Sequence, residues 1–252
     1  MRTLVITVAG MATRFSESVG KECLKCAYYD QIPEESILYR LIHLNPNFFD
    51  QFIVVGGFHF DELQQFVQEH LQEYKDRITL IYNEHFRDYG SGYSLYLGIS
   101  EALKMGCSEV VFAEGDLYLD QESFVEVCDS MKDVLTSNRD TILASKSVAY
   151  YFDTKGFVHY IFDTKHGELE VKEPFTEIGN SGQVWKFSDM EKLDYVLQGL
   201  SKQDKQGTNL IIVQNYFGER ERDAYDIVQF KDWINCNTVS DFRRMQQMEG
   251  TF

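Results

Sequence analysis

Four short runs in the first half of the chain, Thr3 to Val8, Gln51 to Val55, Ile78 to Tyr82 and Glu109 to Ala113, have the length and the β-branched, aliphatic content of buried strands. The stretches between them repeat apolar residues at helical spacing. Ile37, Leu38, Leu41 and Ile42 share one face after Pro33, and Pro33 with Glu34 and Glu35 suits a helix start. From Asp61, Leu63, Phe66, Val67, His70 and Leu71 form a second stripe, and Leu95, Leu97, Ile99 and Leu103 a third between about Tyr93 and Met105. Strand and helix in strict alternation predict an α/β fold: a Rossmann-like, mainly parallel mixed sheet covered by helices, with right-handed crossovers.

The alternation stops after about Asn138. From Thr141 to Val171 the pattern becomes short strands separated by turn residues, Asp153-Thr-Lys-Gly156 and Lys165-His-Gly167, which predicts a small antiparallel extension of the sheet. Helical spacing returns from Asp189 to Leu200 and from Val239 to Met248. With 252 residues, 44% hydrophobic content, only three prolines and no low-complexity linker, the chain is expected to bury one core as a single domain over 1–252.

Charge narrows the partners. The chain has 24 Lys+Arg against 40 Asp+Glu, a formal charge of −16, which repels nucleic acid and anionic membrane over most of the surface. A small anionic nucleotide remains possible where Arg14, Lys21 and Lys25 concentrate positive charge and a divalent cation bridges phosphates to carboxylates. The chain starts directly in a strand and has no apolar run long enough to span a bilayer, so cytoplasmic residence is expected. Five scattered cysteines fit reduced thiols. Cys23 and Cys26 form a lone CxxC, readable as a redox pair or half a zinc site, but no second CxxC or HxxH completes a metal set, and two small apolar side chains beside a strand is the better reading.

In open parallel sheets ligands sit at the carboxyl ends of strands, so residues just after strands carry the chemistry. The first such stretch is Ala9-Gly10-Met11-Ala12-Thr13-Arg14, followed by Lys21 and Lys25. Small residues at a strand exit let backbone N–H groups approach a phosphate chain, and Arg14 and a lysine can neutralise it. This stretch is similar to the signature of the nucleotidyltransferases that activate sugar phosphates, phosphocholine and related metabolites, Gly-x-Gly-Thr/Ser-Arg followed by Lys-Pro-Leu. The resemblance implies a nucleotidyltransferase fold of the GT-A-like kind, with 1–138 as nucleotide-binding half and 139–252 as acceptor-binding half. It implies that the loop wraps the triphosphate, that Arg14 steadies the departing pyrophosphate, and that a lysine holds the α-phosphate. Gly10, Thr13 and Arg14 match directly, and Ala12 replaces the second glycine. Lys21 matches the lysine better, because Cys23 and Leu24 then take the place of the apolar pair; Lys25 is its rival.

Three further segments extend the resemblance. Val110-Val-Phe-Ala-Glu114-Gly115-Asp116 is a hydrophobic strand ending in acids, where a hard cation finds oxygen ligands, and Asp116 takes the position of the family's Mg²⁺-binding aspartate. In Asn83 to Leu95, the resemblance implies a base-reading loop before a helix, with Gly90 and Gly92 allowing close approach and Ser91 or Ser94 offering a hydroxyl to the base or capping the helix. The Ser-Leu-Tyr-Leu run is closest to the cytidylyltransferase branch, implying CTP. In Trp233-Ile-Asn235-Cys-Asn237, asparagines stand where the family has two metal-completing acids, so the metal set becomes Asp116, Asn235 and Asn237 with a neutral pair.

The acceptor side is expected in Gly179 to Phe187, with Asn180, Ser181, Gln183 and Lys172 contacting a polar acceptor and Lys146 or Lys155 its phosphate. This segment is similar to cytidylyltransferases acting on phosphorylated glutamine in capsule phosphoramidate synthesis. The expected activity is Mg²⁺-dependent transfer of CMP from CTP to a small phosphorylated metabolite, with phosphocholine or a sugar 1-phosphate as other acceptors. Two other classes remain open: a glycosyltransferase, which has no use for Arg14 and Lys21 around a pyrophosphate leaving group, and a non-catalytic nucleotide-binding paralogue, suggested by Asn235 and Asn237.

Overall fold

The structure, a computed structural model, describes residues 1–163 and 167–249. The chain opens with β1 (Arg2–Thr7), α1 (Thr13–Val19), α2 (Ile37–His43), β2 (Gln51–Gly56), α3 (Phe60–His70), β3 (Ile78–Tyr82), α4 (Ser91–Lys104) and β4 (Glu109–Glu114). All four predicted strands and all three predicted helices form. The first helix starts later than Pro33: Pro33–Glu35 closes a single 3-10 turn, and Ser36, in extended conformation with its Oγ accepting from the Tyr39 N–H, caps α2.

The chain continues with β5 (Leu117–Leu119), α5 (Gln121–Asp129), β6 (Asp133–Asn138), β7 (Ala149–Asp153), β8 (Val158–Tyr160), β9 (Phe175–Phe187), α6 (Met190–Gly199), α7 (Lys202–Gln206), α8 (Leu210–Phe217), β10 (Tyr225–Gln229), β11 (Trp233–Asn235) and α9 (Val239–Glu249). The main sheet has the order β10-β6-β9-β4-β1-β2-β3, with β7 paired to β9 and β8 to β7. Strands β3, β2, β1 and β4 run parallel, and β9 enters antiparallel between β4 and β6. One sheet therefore runs through both halves of the sequence.

The expected antiparallel extension is the β7–β8 hairpin, whose turn closes where Gly156, at φ +87°, donates its N–H to the Asp153 carbonyl. Strand structure does not continue to Val171: among the described residues from 161 to 171 there is none, and the next strand begins at Phe175. Lys165 and His166 of the second expected turn lie outside the described residues.

Alternation along β1 divides the core. Leu4 and Ile6 face a cluster with Ile37, Leu41, Phe52 and Leu63, while Val5 faces the other side with Val55, Leu95, Ile99, Trp185 and Tyr216. Helices α2 and α3 thus cover one face, and α4, α6 and α8 the other. Both layers leave the carboxyl ends of β1 and β4 side by side, in register from Arg2 opposite Glu109 to Thr7 opposite Glu114. No helix among the described residues is long and apolar enough to cross a membrane.

Candidate active site

A cavity of about 230 Å³ opens at the carboxyl ends of β1 and β4, lined by Ala9, Gly10 and Ala12 from one side and Glu114 and Asp116 from the other. The loop leaving β1 is anchored by its backbone, Val8 N–H donating to the Val55 carbonyl at 2.8 Å and Phe58 N–H to the Ala9 carbonyl at 3.1 Å. Ala12 adopts left-handed φ +50° as the N-cap of α1. A glycine would hold that conformation without the Cβ clash, so the alanine at this position stores local strain. Met11, 43% exposed, and Thr13, also exposed, lie outside the cavity lining.

The two acids have different partners. Lys25 Nζ donates to Asp116 Oδ2 at 2.9 Å, an ion pair with both side chains about one-fifth exposed (18% and 21%). Asp116 Oδ1 is buried and has no hydrogen-bond partner. Glu114 Oε1 accepts from Asn209 Nδ2 at 2.7 Å. Burial, reinforced by the neighbouring Asp116 charge, pushes the Glu114 carboxyl up to about 7, against the opposing pull of the Asn209 hydrogen bond and Lys25. The orphaned Asp116 oxygen is a hard donor of the kind Mg²⁺ takes. Among the described residues no group of three His, Cys, Asp or Glu side chains converges to hold a metal alone.

Of the two lysines, the structure brings Lys25 to the acids and not Lys21. Lys25 starts a 3-10 turn, Lys25–Ala27, and lines the cavity. Lys21 follows the C-cap of α1, exposed and outside the lining. In the CxxC, Cys26 is buried, which pushes its thiol up to about 12, and all five cysteines are free.

The loop before α4 also lines the cavity, through Asn83, Gly90, Ser91 and Ser94, but most of its polar groups are already engaged. Asn83 Nδ2 donates to Ser94 Oγ at 2.9 Å and its Oδ1 accepts from the His85 N–H at 2.8 Å. Ser91 Oγ donates to Asn209 Oδ1 at 3.2 Å and accepts from the Asn209 N–H at 3.1 Å. Gly90 and Gly92 permit close approach as expected, but of protein backbone: a Cβ on Gly90 would sit 2.3 Å from the Gly207 carbonyl oxygen, and one on Gly92 2.9 Å from it. Neither serine side chain caps α4, whose N-cap is Gly90.

Arg14, Asn235, Asn237, Lys146 and Asn180 meet instead around a second cavity of about 410 Å³, together with Arg244. Strand β11 pairs antiparallel with β5, Asn235 opposite Leu117, and the Cys236 N–H donates to the Asp116 carbonyl at 2.8 Å, setting the two asparagines beside Asp116. Arg14 Nη2 donates to Asn237 Oδ1 at 2.8 Å, and Asn237 Nδ2 to Asn235 Oδ1 at 2.7 Å. Both amide oxygens therefore already accept from N–H donors, unlike the Asp116 oxygen. Asn235 Nδ2 reaches toward Gln183 Oε1 at 3.5 Å. Ser181 and Gln183 are buried in β9, Gln183 at φ +56° with Nε2 unpartnered. Lys172 is not brought to either cavity: it is exposed and pairs with Asp163 at 3.4 Å. Lys155 is likewise outside both linings.

Three residues of the site were not picked out from the sequence. Phe86 and Tyr89 form an aromatic wall of the first cavity, with Tyr89 stacked on His85 at 4.1 Å. Asn209, 2% exposed, ties the start of α4 to Glu114 from the start of α8. The aromatic spacing in His85-Phe-Arg-Asp-Tyr89 offered a signal for the first two. Nothing around Asn209 distinguishes it from an ordinary helix-start asparagine.

The fold recurs in solved structures. A Bacillus anthracis protein assigned as a glucose-1-phosphate thymidylyltransferase, solved with sucrose, aligns with a TM-score of 0.71 and 13% identity over 100% of this chain and 96% of its own. The inositol-1-phosphate CTP transferase of T. maritima gives 0.67 and 15% over 100% and 97%. The CTP:phosphocholine cytidylyltransferase of Streptococcus pneumoniae, LicC, gives 0.63 and 12% over 98% and 99%. At these identities the likeness is one of fold, and no curated protein matches the chain in sequence. The model of the family described as a domain of unknown function, DUF6564, matches residues 21–249, and the chain belongs to that family.

Proposed function

We propose that this protein is a nucleotidyltransferase, and specifically a cytidylyltransferase that joins CMP from CTP to a small phosphorylated metabolite and releases pyrophosphate. The observation that carries the reading is the set of groups around the strand ends: Lys25 lines a cavity floored by Glu114 and Asp116, and Arg14, from a separate element, is held by Asn237 at the second cavity, just past the strand that runs beside Asp116. The similar folds include enzymes named for nucleotidyl and cytidylyl transfer, which supports the class. The single sheet spanning both halves supports treating 1–252 as one domain.

In this reading CTP occupies the first cavity, its phosphates against the Ala9–Ala12 loop, and the acceptor the second. An acceptor phosphate oxygen attacks the α-phosphorus in line, the bond to the bridging oxygen breaks, and both electrons leave with pyrophosphate. A phosphate nucleophile is already ionised at neutral pH, so no general base is needed. Asp116, with its unpartnered Oδ1, would hold Mg²⁺ together with the nucleotide phosphates, and the ion would supply charge neutralisation on the phosphate oxygens. Lys25, at the cavity beside Asp116, would serve the α-phosphate, and Arg14 would hold the departing pyrophosphate. Catalysis is then positioning and charge compensation.

For the acceptor, Asn180 and Lys146 around the second cavity support an anionic molecule with amide or hydroxyl groups, and phosphoglutamine fits better than phosphocholine, whose quaternary ammonium calls for an aromatic cage. Competing the two at equal concentration with CTP and magnesium tests this: preferential consumption of phosphoglutamine is expected, and a clear preference for phosphocholine overturns the acceptor assignment.

A further inference from the structure

Arg14 is exposed at the first turn of α1, and a free arginine there would sample many rotamers before meeting a phosphate. Its Nη2 is instead held by Asn237 Oδ1 at 2.8 Å, across 223 residues of sequence. Asn237 is itself fixed from two sides. Its Nδ2 donates to Asn235 Oδ1 at 2.7 Å, which orients the amide so that oxygen, not nitrogen, faces the guanidinium. Its backbone N–H donates to Asp241 Oδ2 at 3.1 Å, and that oxygen also accepts from the Thr238 N–H and hydroxyl, both at 2.8 Å. Asp241 lines the same cavity, yet its charge is directed at the start of α9.

We infer that Asn237 is a positioning residue for Arg14, a neutral tether that aims the guanidinium without cancelling its charge. A carboxylate at 237 would hold the same N–H groups more tightly but form an ion pair, and an incoming phosphate would have to compete with it. An amide oxygen accepts the hydrogen bond and leaves the full positive charge for an anion, while restricting the arginine before binding. Asn235 belongs to the same device, because its Oδ1 fixes which end of the Asn237 amide faces Arg14. The two asparagines thus make an arginine clamp beside Asp116 rather than additional metal ligands. The purpose assigned to the clamp rests on the nucleotidyl-transfer reading, but its test does not require turnover.

The test is a double-substitution cycle on inorganic pyrophosphate, titrated calorimetrically into the full-length protein in the presence of EDTA. Arg14→Ala and Asn237→Leu are each expected to weaken binding about tenfold, and the double variant no further, because both remove the same aimed charge. Asn237→Asp keeps an oxygen facing Arg14 and is expected to weaken binding as well, by neutralising the guanidinium. Additive losses, wild-type affinity in Asn237→Leu, or undiminished affinity in Asn237→Asp would each overturn the inference. If the cycle behaves as expected while no nucleotide is turned over, the clamp stands and the enzymatic reading falls.

Discussion

Replacing Glu114 by glutamine should stabilise the protein above neutral pH and leave its stability nearly unchanged near pH 4. The carboxyl is raised in the folded state from its ordinary 4.5 to about 7, first by burial and then by the charge of Asp116. Below 4.5 it is protonated in folded and unfolded chains alike and costs nothing. Between 4.5 and 7 the unfolded chain releases the proton while the folded one keeps it, so stability falls as pH rises; above 7 both are ionised and the loss is complete. At 1.36 kcal/mol for each pH unit, the full loss is about 3 kcal/mol. Glutamine removes the charge and still offers Asn209 an oxygen, so the 2.7 Å hydrogen bond is retained. Urea unfolding of both proteins at pH 4, 6 and 8 reads the effect as a difference in midpoint that grows with pH in favour of the variant. A difference that stays constant from pH 4 to 8, or that favours wild type at pH 8, would refute the burial argument.

Ala12→Gly should raise stability by about 0.5–1 kcal/mol, since the left-handed φ of +50° is relieved at the cost of some unfolded-chain entropy, and an unchanged or lower urea midpoint would show that the loop carries no strain. Asp116→Asn should remove nearly all pyrophosphate release while circular dichroism shows an intact fold; activity within a few-fold of wild type would exclude Asp116 as the metal-holding group. Lys25→Ala should lower kcat by about 100-fold, with a smaller change in KM, and Lys21→Ala should stay near wild type. The reverse pattern in the same steady-state assay would return the phosphate-binding role to Lys21.

The fold was most legible where hydrophobic periodicity is uncluttered, in β1 to β4 and the helices between them. It was least legible where polar side chains are buried with partners. Strand β6 is buried throughout yet contains Asp133, Thr136, Ser137 and Asn138, whose polarity hides the strand. Asp133 Oδ1 accepts from the Tyr216 hydroxyl and the Ser188 N–H, Thr136 Oγ1 donates to the Val184 carbonyl, and Asn138 Nδ2 to the Ser181 carbonyl. Lys186, 2% exposed in β9, is likewise satisfied by the Cys128 and Ser130 carbonyls at the end of α5, both at 2.7 Å. Helix α8, Leu-Ile-Ile-Val-Gln-Asn-Tyr-Phe, is apolar on most of its surface because it packs between α4, α6 and the sheet, and its β-branched run has no helical stripe to read.

In the site, the strand-end acids and the glycine loop follow from local pattern, because a strand exit fixes where the next residues point. The choice between Lys21 and Lys25 does not: it depends on the short turn at Lys25–Ala27, where Leu24 and Cys26 are buried and Lys25 is left facing the cavity. The asparagine pair was legible as a departure from acidic residues, but its engagement with Arg14 joins residues from opposite ends of the chain and required the structure.

Pyrophosphate release on mixing the protein with CTP, magnesium and a panel of small phosphorylated metabolites tests the central claim most directly. Release is expected only when CTP and an acceptor are both present, with CTP outperforming ATP, GTP and UTP and one new phosphorus-bridged product appearing in the ³¹P spectrum. Binding of CTP without release for any acceptor, or transfer of sugar from a nucleotide sugar with no pyrophosphate formed, would contradict it.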